Sequence, residues 1–229
     1  IRSTRRILWL RSKASGSQSL FFFELDLIGK EKVIWRYDPI LTNETYNTDF
    51  HKTTFFKIAT QLKDHTEKCM ISFIDYYKHI RPSLSSQNIH PLTLEEIREM
   101  AYSFRQSISS TPIQLNTCTR KVDLSDMGIP AGMCIDRELI ERLTGYPISA
   151  QKDKNQRDVC RCIESIDIGT YDTCFNGCLY CYANTAKHKP FRNLQKHDPA
   201  SPKLIGQVND DDIIKDRATC SLRRDPSLF

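Results

Sequence analysis

Lys32 to Ile40 read KVIWRYDPI, a run of β-branched and aromatic residues closed by Pro39. Such a run suits a buried strand that stops where proline removes a backbone donor. Downstream, TDFHKTTFFKIATQLK (48–63) places Phe55, Ile58, Ala59 and Leu62 at three- and four-residue spacing, so they share one face of a helix. The next apolar run, KCMISFIDYY (68–77), reads as a second strand. Strand, helix, strand is the unit of a parallel sheet, because two parallel strands need a long crossover between them.

The unit recurs. TLEEIREMAYSFRQSI (93–108) opens on Thr93 with Glu96 three residues later, the reciprocal pairing that satisfies free N–H groups at a helix start. Ile97, Met100, Ala101, Phe104 and Ile108 form its apolar stripe. PIQLNTC (112–118) offers a third strand. DRELIERLTG (136–145) reads as a short helix capped by Asp136 and ended by Gly145. Ahead of the first strand, SLFFFELDLIG (19–29) reads as a helix ending at Gly29.

Alternation of this kind implies an α/β fold, either an open doubly wound sheet or a (β/α) barrel. No glycine-rich phosphate loop follows any strand, which favours the barrel. A complete barrel takes about 250 residues, whereas some 150 precede the cysteine-rich part of this 229-residue chain. The expectation is a partial or truncated TIM-like barrel over 19–150, an N-terminal segment 1–18 that reads as a truncation or an error, and a cysteine-rich region over 151–229. In a barrel, chemistry sits at the C-terminal ends of strands. Arg36, Asp38 and Asp75 are therefore candidate catalytic residues, with an ion pair or turn cap as the plainer role for Arg36 and Asp38.

Hydrophobic content of 39% with 27% charged residues suits a globular chain, and no apolar run approaches the roughly 20 residues that span a bilayer. No secretory signal is legible, so the cytoplasm is the expected compartment. The net charge of +5 is spread among acids, as in QKDKNQRD and NDDDIIKD, which reads as a mixed solvated surface and leaves nucleic acid open as a partner. The six histidines are scattered without metal-ligand spacing and are read as surface or structural residues.

Nine cysteines in a reducing compartment point to metal binding or free thiols rather than disulfides. Five of them fall between Cys160 and Cys181. In YDTCFNGCLYCYAN (171–184), Cys174, Cys178 and Cys181 stand at C-x3-C-x2-C spacing among the turn residues Asp172, Asn176 and Gly177. Two metals are open. Zinc takes four ligands, which Cys160 and Cys162 with Cys178 and Cys181 could supply, leaving Cys174 aside. An iron–sulfur cubane on Cys174, Cys178 and Cys181 leaves one iron without a cysteine and so free to bind a ligand.

Cys174, Cys178, Tyr180 and Cys181 resemble the signature of radical S-adenosylmethionine enzymes. The resemblance implies a [4Fe-4S] cluster on the three thiolates, with S-adenosylmethionine chelated at the fourth iron and Tyr180 against it. It also implies one-electron cleavage of the cofactor, hence a reductant such as a flavodoxin or ferredoxin, and a substrate that the sequence leaves unknown. KVIWRYDPIL, KCMISFIDYY, GMCIDRELIERLTG, KDKNQRDVCRCIESIDIGTYDTCFNGCLYCYANT and HDPASPKLIG are together similar to the bacterial family designated domain of unknown function 1848, from about Phe23 onward. Arg161 departs from that family, where glycine is usual, and so do Phe175 and Asn176.

The superfamily carries its motif after the first barrel strand, whereas 48 residues follow Cys181 here. The cluster would then be delivered by a C-terminal arm onto the strand ends of the preceding domain. A competing reading is a non-catalytic module built around iron–sulfur or zinc, serving electron transfer, structure or interaction. The remaining thiols give a further expectation. Cys118 ends a strand and Cys134 precedes a helix cap, so Cys118, Cys134, Cys160 and Cys162 are expected to hold a second iron–sulfur cluster, or else zinc.

Overall fold

The computed structural model describes residues 15–118, 122–216 and 221–224. A helix α1 (Ser15–Ile28) precedes strand β1 (Ile34–Ile40), and α2 (Thr48–Leu62) leads to β2 (Lys68–Phe73). A short α3 (Arg81–Ser85) and a longer α4 (Leu94–Ser107) lead to β3 (Gln114–Cys118). Then come β4 (Ala131–Gly132), α5 (Arg137–Thr144) and, far downstream, α6 (Lys189–Leu194). The α1 helix begins four residues ahead of its expected start.

The four strands form one open sheet in the order β1-β2-β3-β4, and each neighbouring pair is parallel. A closed barrel is not formed, which corrects the barrel expectation to an open α/β sheet among the described residues. The physical reason lies in β4, whose two residues pair only Thr117 with Ala131 and Cys118 with Gly132. Among the described residues no fifth strand continues the ladder there.

The sheet has two unlike faces because successive side chains alternate. On one face Trp35, Tyr37, Cys69, Ile71 and Leu115 join Phe55, Ile58 and Leu62 of α2 and Ile97, Met100 and Phe104 of α4 in one buried core. Its centre is aromatic, with Phe55 stacked on Phe104 at 4.2 Å and on Trp35 at 4.6 Å between ring centroids. The caps are those expected. Thr93 and Glu96 form the full capping box of α4, and Asp136 accepts from the backbone N–H groups of Glu138 and Leu139 at the start of α5. His51 is buried, bonded to the Tyr37 hydroxyl through Nδ1 at 2.8 Å and to the Leu41 carbonyl through Nε2 at 2.8 Å.

The other face is polar. Arg36, Met70 and Asn116 lie in register across β1, β2 and β3. Gly132 approaches this row so closely that a Cβ there would lie 2.8 Å from both the Asn116 Cβ and the Met70 sulfur. Lys68, on the same face, reaches over to Asp136 at 2.6 Å. Among the described residues no helix is long and apolar enough to cross a membrane.

Candidate functional site

The site grows from the C-terminal ends of β1 and β2. The β1–β2 register slips between Tyr37 and Ile40, a local irregularity of the kind that redirects side chains at a sheet rim. Asp38 sits in this slip, and Asp75 lies two residues beyond β2. Both line a pocket of about 300 Å³ whose far wall is Cys178, Tyr180, Cys181 and Tyr182. The cysteine loop thus sits on the strand ends of the sheet.

That loop packs Tyr180 against the apolar cluster of Leu41, Ile80, Leu84 and Ile89, and polar contacts hold its turns. Asp172, in a left-handed conformation with φ 59°, accepts at Oδ1 from the Thr185 N–H at 2.6 Å and pairs with Lys189 at 3.4 Å. The Asn193 amide donates to the Asp172 carbonyl at 3.0 Å, and the Asn184 amide to the Cys174 carbonyl at 2.6 Å. Gly177 has φ 62° and supplies the turn between Cys174 and Cys178. Cys174 is exposed, and Cys178 and Cys181 are half-buried. Burial pushes the Cys178 thiol up, and the neighbouring Cys181 and Cys174 push it further. Burial also raises Tyr180, with help from Cys178 and Asp38, so its phenol is neutral at physiological pH.

Charge is paired around the pocket. Arg36 donates from Nε to Asp38 Oδ2 at 3.0 Å and also from Nη2 to the same oxygen, so the ion pair foreseen as the plainer role is formed. Burial opposes the Arg36 charge, but its hydrogen bonds to Asp38 and Cys134 outweigh that cost and leave it firmly protonated. Asp75 pairs with Arg157 Nη1 at 2.7 Å. Arg157 also donates to the Tyr77 hydroxyl, and Tyr77 packs near Tyr182 with ring centroids 5.7 Å apart. Arg157, Tyr77 and Tyr182 were not singled out by sequence reasoning. Arg157 stands in QKDKNQRD, where alternating charges look like solvated loop, and only the tertiary contact with Asp75 distinguishes it.

Cys118 and Cys134 stand apart from this pocket, with sulfurs 3.7 Å from each other. Cys134 also accepts from Arg36 Nη1 at 2.9 Å, and Cys162 accepts from the Cys134 N–H at 3.2 Å. Cys160 and Cys162 are both buried, and Arg161 between them is exposed. The Arg36–Asp38 pair therefore connects the two groups of thiols, one partner touching Cys134 and the other lining the pocket beside Cys178.

Eight cysteines are described and none is disulfide-bonded. Among the described residues no three His, Cys, Asp or Glu side chains are gathered closely enough to hold a metal ion between them. The donors suit a metal in kind: three thiols on one loop are soft ligands of the sort that iron–sulfur clusters and zinc take. Two of the three line the pocket, together with Asp38, Asp75 and Tyr180.

Comparison with curated proteins gave no match, and neither did comparison with solved structures. The family model described as domain of unknown function (DUF1848) matches residues 20–183, more than half of the chain, and the protein belongs to that family.

Proposed function

We infer that the chain is an iron–sulfur protein with a [4Fe-4S] cluster on Cys174, Cys178 and Cys181, and that it acts as a radical S-adenosylmethionine-like enzyme at the strand ends of its open sheet. The observation that carries this reading is that Cys178 and Cys181 line the same pocket as Asp38, Asp75 and Tyr180, so a ligand at an open iron meets strand-end side chains. When bound, the cluster supplies one electron at low potential and the cofactor supplies a reactive carbon radical.

The chain's own residues fit the binding of such a ligand. S-Adenosylmethionine carries an ammonium, and Asp38 and Asp75, each already paired with an arginine, are carboxylates on the pocket wall that can accept from it. Arg157, although paired with Asp75, retains N–H donors that can take a carboxylate. Tyr77, Tyr180 and Tyr182 give aromatic faces for an adenine ring and for cations. The half-buried Tyr180 also keeps water from the sulfurs of Cys178 and Cys181. Arg36 fixes the Asp38 carboxylate through two donors on one oxygen, which makes it a positioning residue. The reductant is a small electron carrier such as a flavodoxin or ferredoxin, and the exposed Cys174 marks the side from which it reaches the cluster.

A second reading draws on that same exposure. A cluster or zinc open to solvent at Cys174 suits a non-catalytic module for electron transfer, structure or interaction. Anaerobic reconstitution with iron and sulfide, followed by dithionite and S-adenosylmethionine, separates the two. The enzyme reading expects 5′-deoxyadenosine from the wild-type chain and none from Cys178→Ala. A reconstituted cluster that yields no deoxyadenosine favours the module.

A further inference from the structure

We propose that Cys118, Cys134, Cys160 and Cys162 form a tetrathiolate site for a single zinc ion at the polar face of the sheet, separate from the thiols of the pocket. The choice of a single ion rests on one distance. Two thiolates on a tetrahedral zinc, with bonds of about 2.3 Å, lie about 3.8 Å apart. Cys118 and Cys134 have their sulfurs 3.7 Å apart, far beyond a disulfide bond of about 2.05 Å. In a cubane each cysteine binds a different iron, so two cysteine sulfurs stand much farther apart than two ligands of one ion. The spacing suits two ligands of one zinc ion, the alternative the sequence also left open, better than two corners of a cluster.

Of the other two thiols, Cys162 already lies beside the pair. The Cys162 sulfur lies within 3.2 Å of the Cys134 nitrogen and 3.4 Å of the Ile135 nitrogen, taking both N–H groups. The segment is pinned there by backbone pairing, with the Ile163 N–H on the Ile135 carbonyl at 3.2 Å and the Asp153 N–H on the Cys162 carbonyl at 3.0 Å. Cys160 and Cys162 are buried and Arg161 is exposed, which puts both thiols on the inner side of the strand-like segment. Metal binding then requires the Cys160 and Cys162 thiols to swing toward the Cys118–Cys134 edge.

The surroundings balance the charge. Four thiolates around Zn²⁺ leave two negative charges, and Arg36 donates to the Cys134 sulfur at 2.9 Å while two backbone N–H groups serve Cys162. Such outer donors orient and stabilise metal-bound thiolates. Binding releases four protons from four thiols and changes no oxidation state. It ties the end of β3 and the turn after β4 to the loop-rich region, which has little apolar core of its own. Its small apolar cluster is Ile148, Ala150 and Ile163.

The test uses the whole chain purified with zinc, before any iron is added. Thiols are alkylated briefly with and without a zinc chelator, and modified cysteines are mapped by mass spectrometry. Zinc at this site slows alkylation of Cys118, Cys134, Cys160 and Cys162 by about tenfold or more, because metal-bound thiolates must be released to react. Cys174, Cys178 and Cys181 react alike in both samples. The triple variant C174A/C178A/C181A keeps about one zinc per chain, and C118S/C134S loses it. Equal alkylation of the four with and without chelator overturns the site. So does zinc that is lost with the pocket cysteines instead, or sulfide-containing iron bound at these four in the triple variant. Failure of the iron cluster at the pocket leaves this result unchanged, because the two sites share no ligand.

Discussion

The Lys68–Asp136 pair is a nearly buried ion pair on the polar face of the sheet. Lys68 Nζ lies 2.6 Å from Asp136 Oδ2, with the two side chains only 17% and 10% exposed. Asp136 Oδ1 meanwhile caps α5, accepting from Glu138 at 3.0 Å and Leu139 at 3.4 Å. Asp136→Ala removes the partner of a buried ammonium, which costs about 3–5 kcal/mol, and a helix cap worth about 1 kcal/mol. A loss of about 4–6 kcal/mol is expected, a large part of a typical stability of about 5–15 kcal/mol. Lys68→Met is milder at about 1–2 kcal/mol, since Asp136 keeps two backbone donors and the helix N-terminus. Asp136→Asn keeps the cap and strands the lysine, and adding Lys68→Met to it should restore most of the loss. The assay is urea unfolding with chelator present, so that metal linkage does not enter. Equal losses below about 1 kcal/mol for Asp136→Ala and Lys68→Met would show a solvated surface pair and refute the reasoning.

Two further perturbations test the fold. Phe104→Ala empties the centre of the aromatic stack against Phe55 and Tyr37 and should cost about 3–5 kcal/mol in the same urea assay. Tyr102→Ala, on the exposed side of α4, should stay within about 0.5 kcal/mol. His51 is held below the ordinary histidine range by burial, despite its bond to the Leu41 carbonyl. The unfolded chain therefore binds the proton first as pH falls. Stability from this group is present above about pH 6.5 and is lost as pH drops from there toward the folded value, at no more than about 1.4 kcal/mol per pH unit. Melting temperatures from pH 7.5 to 5 should show this slope in the wild type and a shallower one in His51→Gln.

The legible part of the fold was the part set by local periodicity. Ile34–Ile40 of KVIWRYDPI became β1, running through Pro39 rather than stopping at it, and Phe55, Ile58, Ala59 and Leu62 lie on the buried face of α2 as their spacing required. The capping box at Thr93 and Glu96 formed because its donors and acceptors are all within one turn. Closure was not legible, because it depends on how many strands pair, and a two-residue β4 leaves no sequence pattern. In the site, Cys174, Cys178, Cys181 and Tyr180 stood out by spacing, and Asp38 and Asp75 by their place at strand ends. Arg157 did not, because its role comes from an ion pair across 82 positions of chain, between Asp75 and a loop that reads as solvated charge. The 3.7 Å approach of Cys118 and Cys134 likewise comes from the β3–β4 pairing, which places Cys118 opposite Gly132.

The central claim is an open iron on Cys174, Cys178 and Cys181 that faces the pocket. The most direct measurement is electron paramagnetic resonance of the reconstituted, dithionite-reduced protein before and after S-adenosylmethionine is added at saturation. The account predicts a [4Fe-4S] signal that shifts on addition of the cofactor and that disappears in C174A/C178A/C181A. A signal that the cofactor leaves unchanged, or that survives the triple substitution, would contradict it.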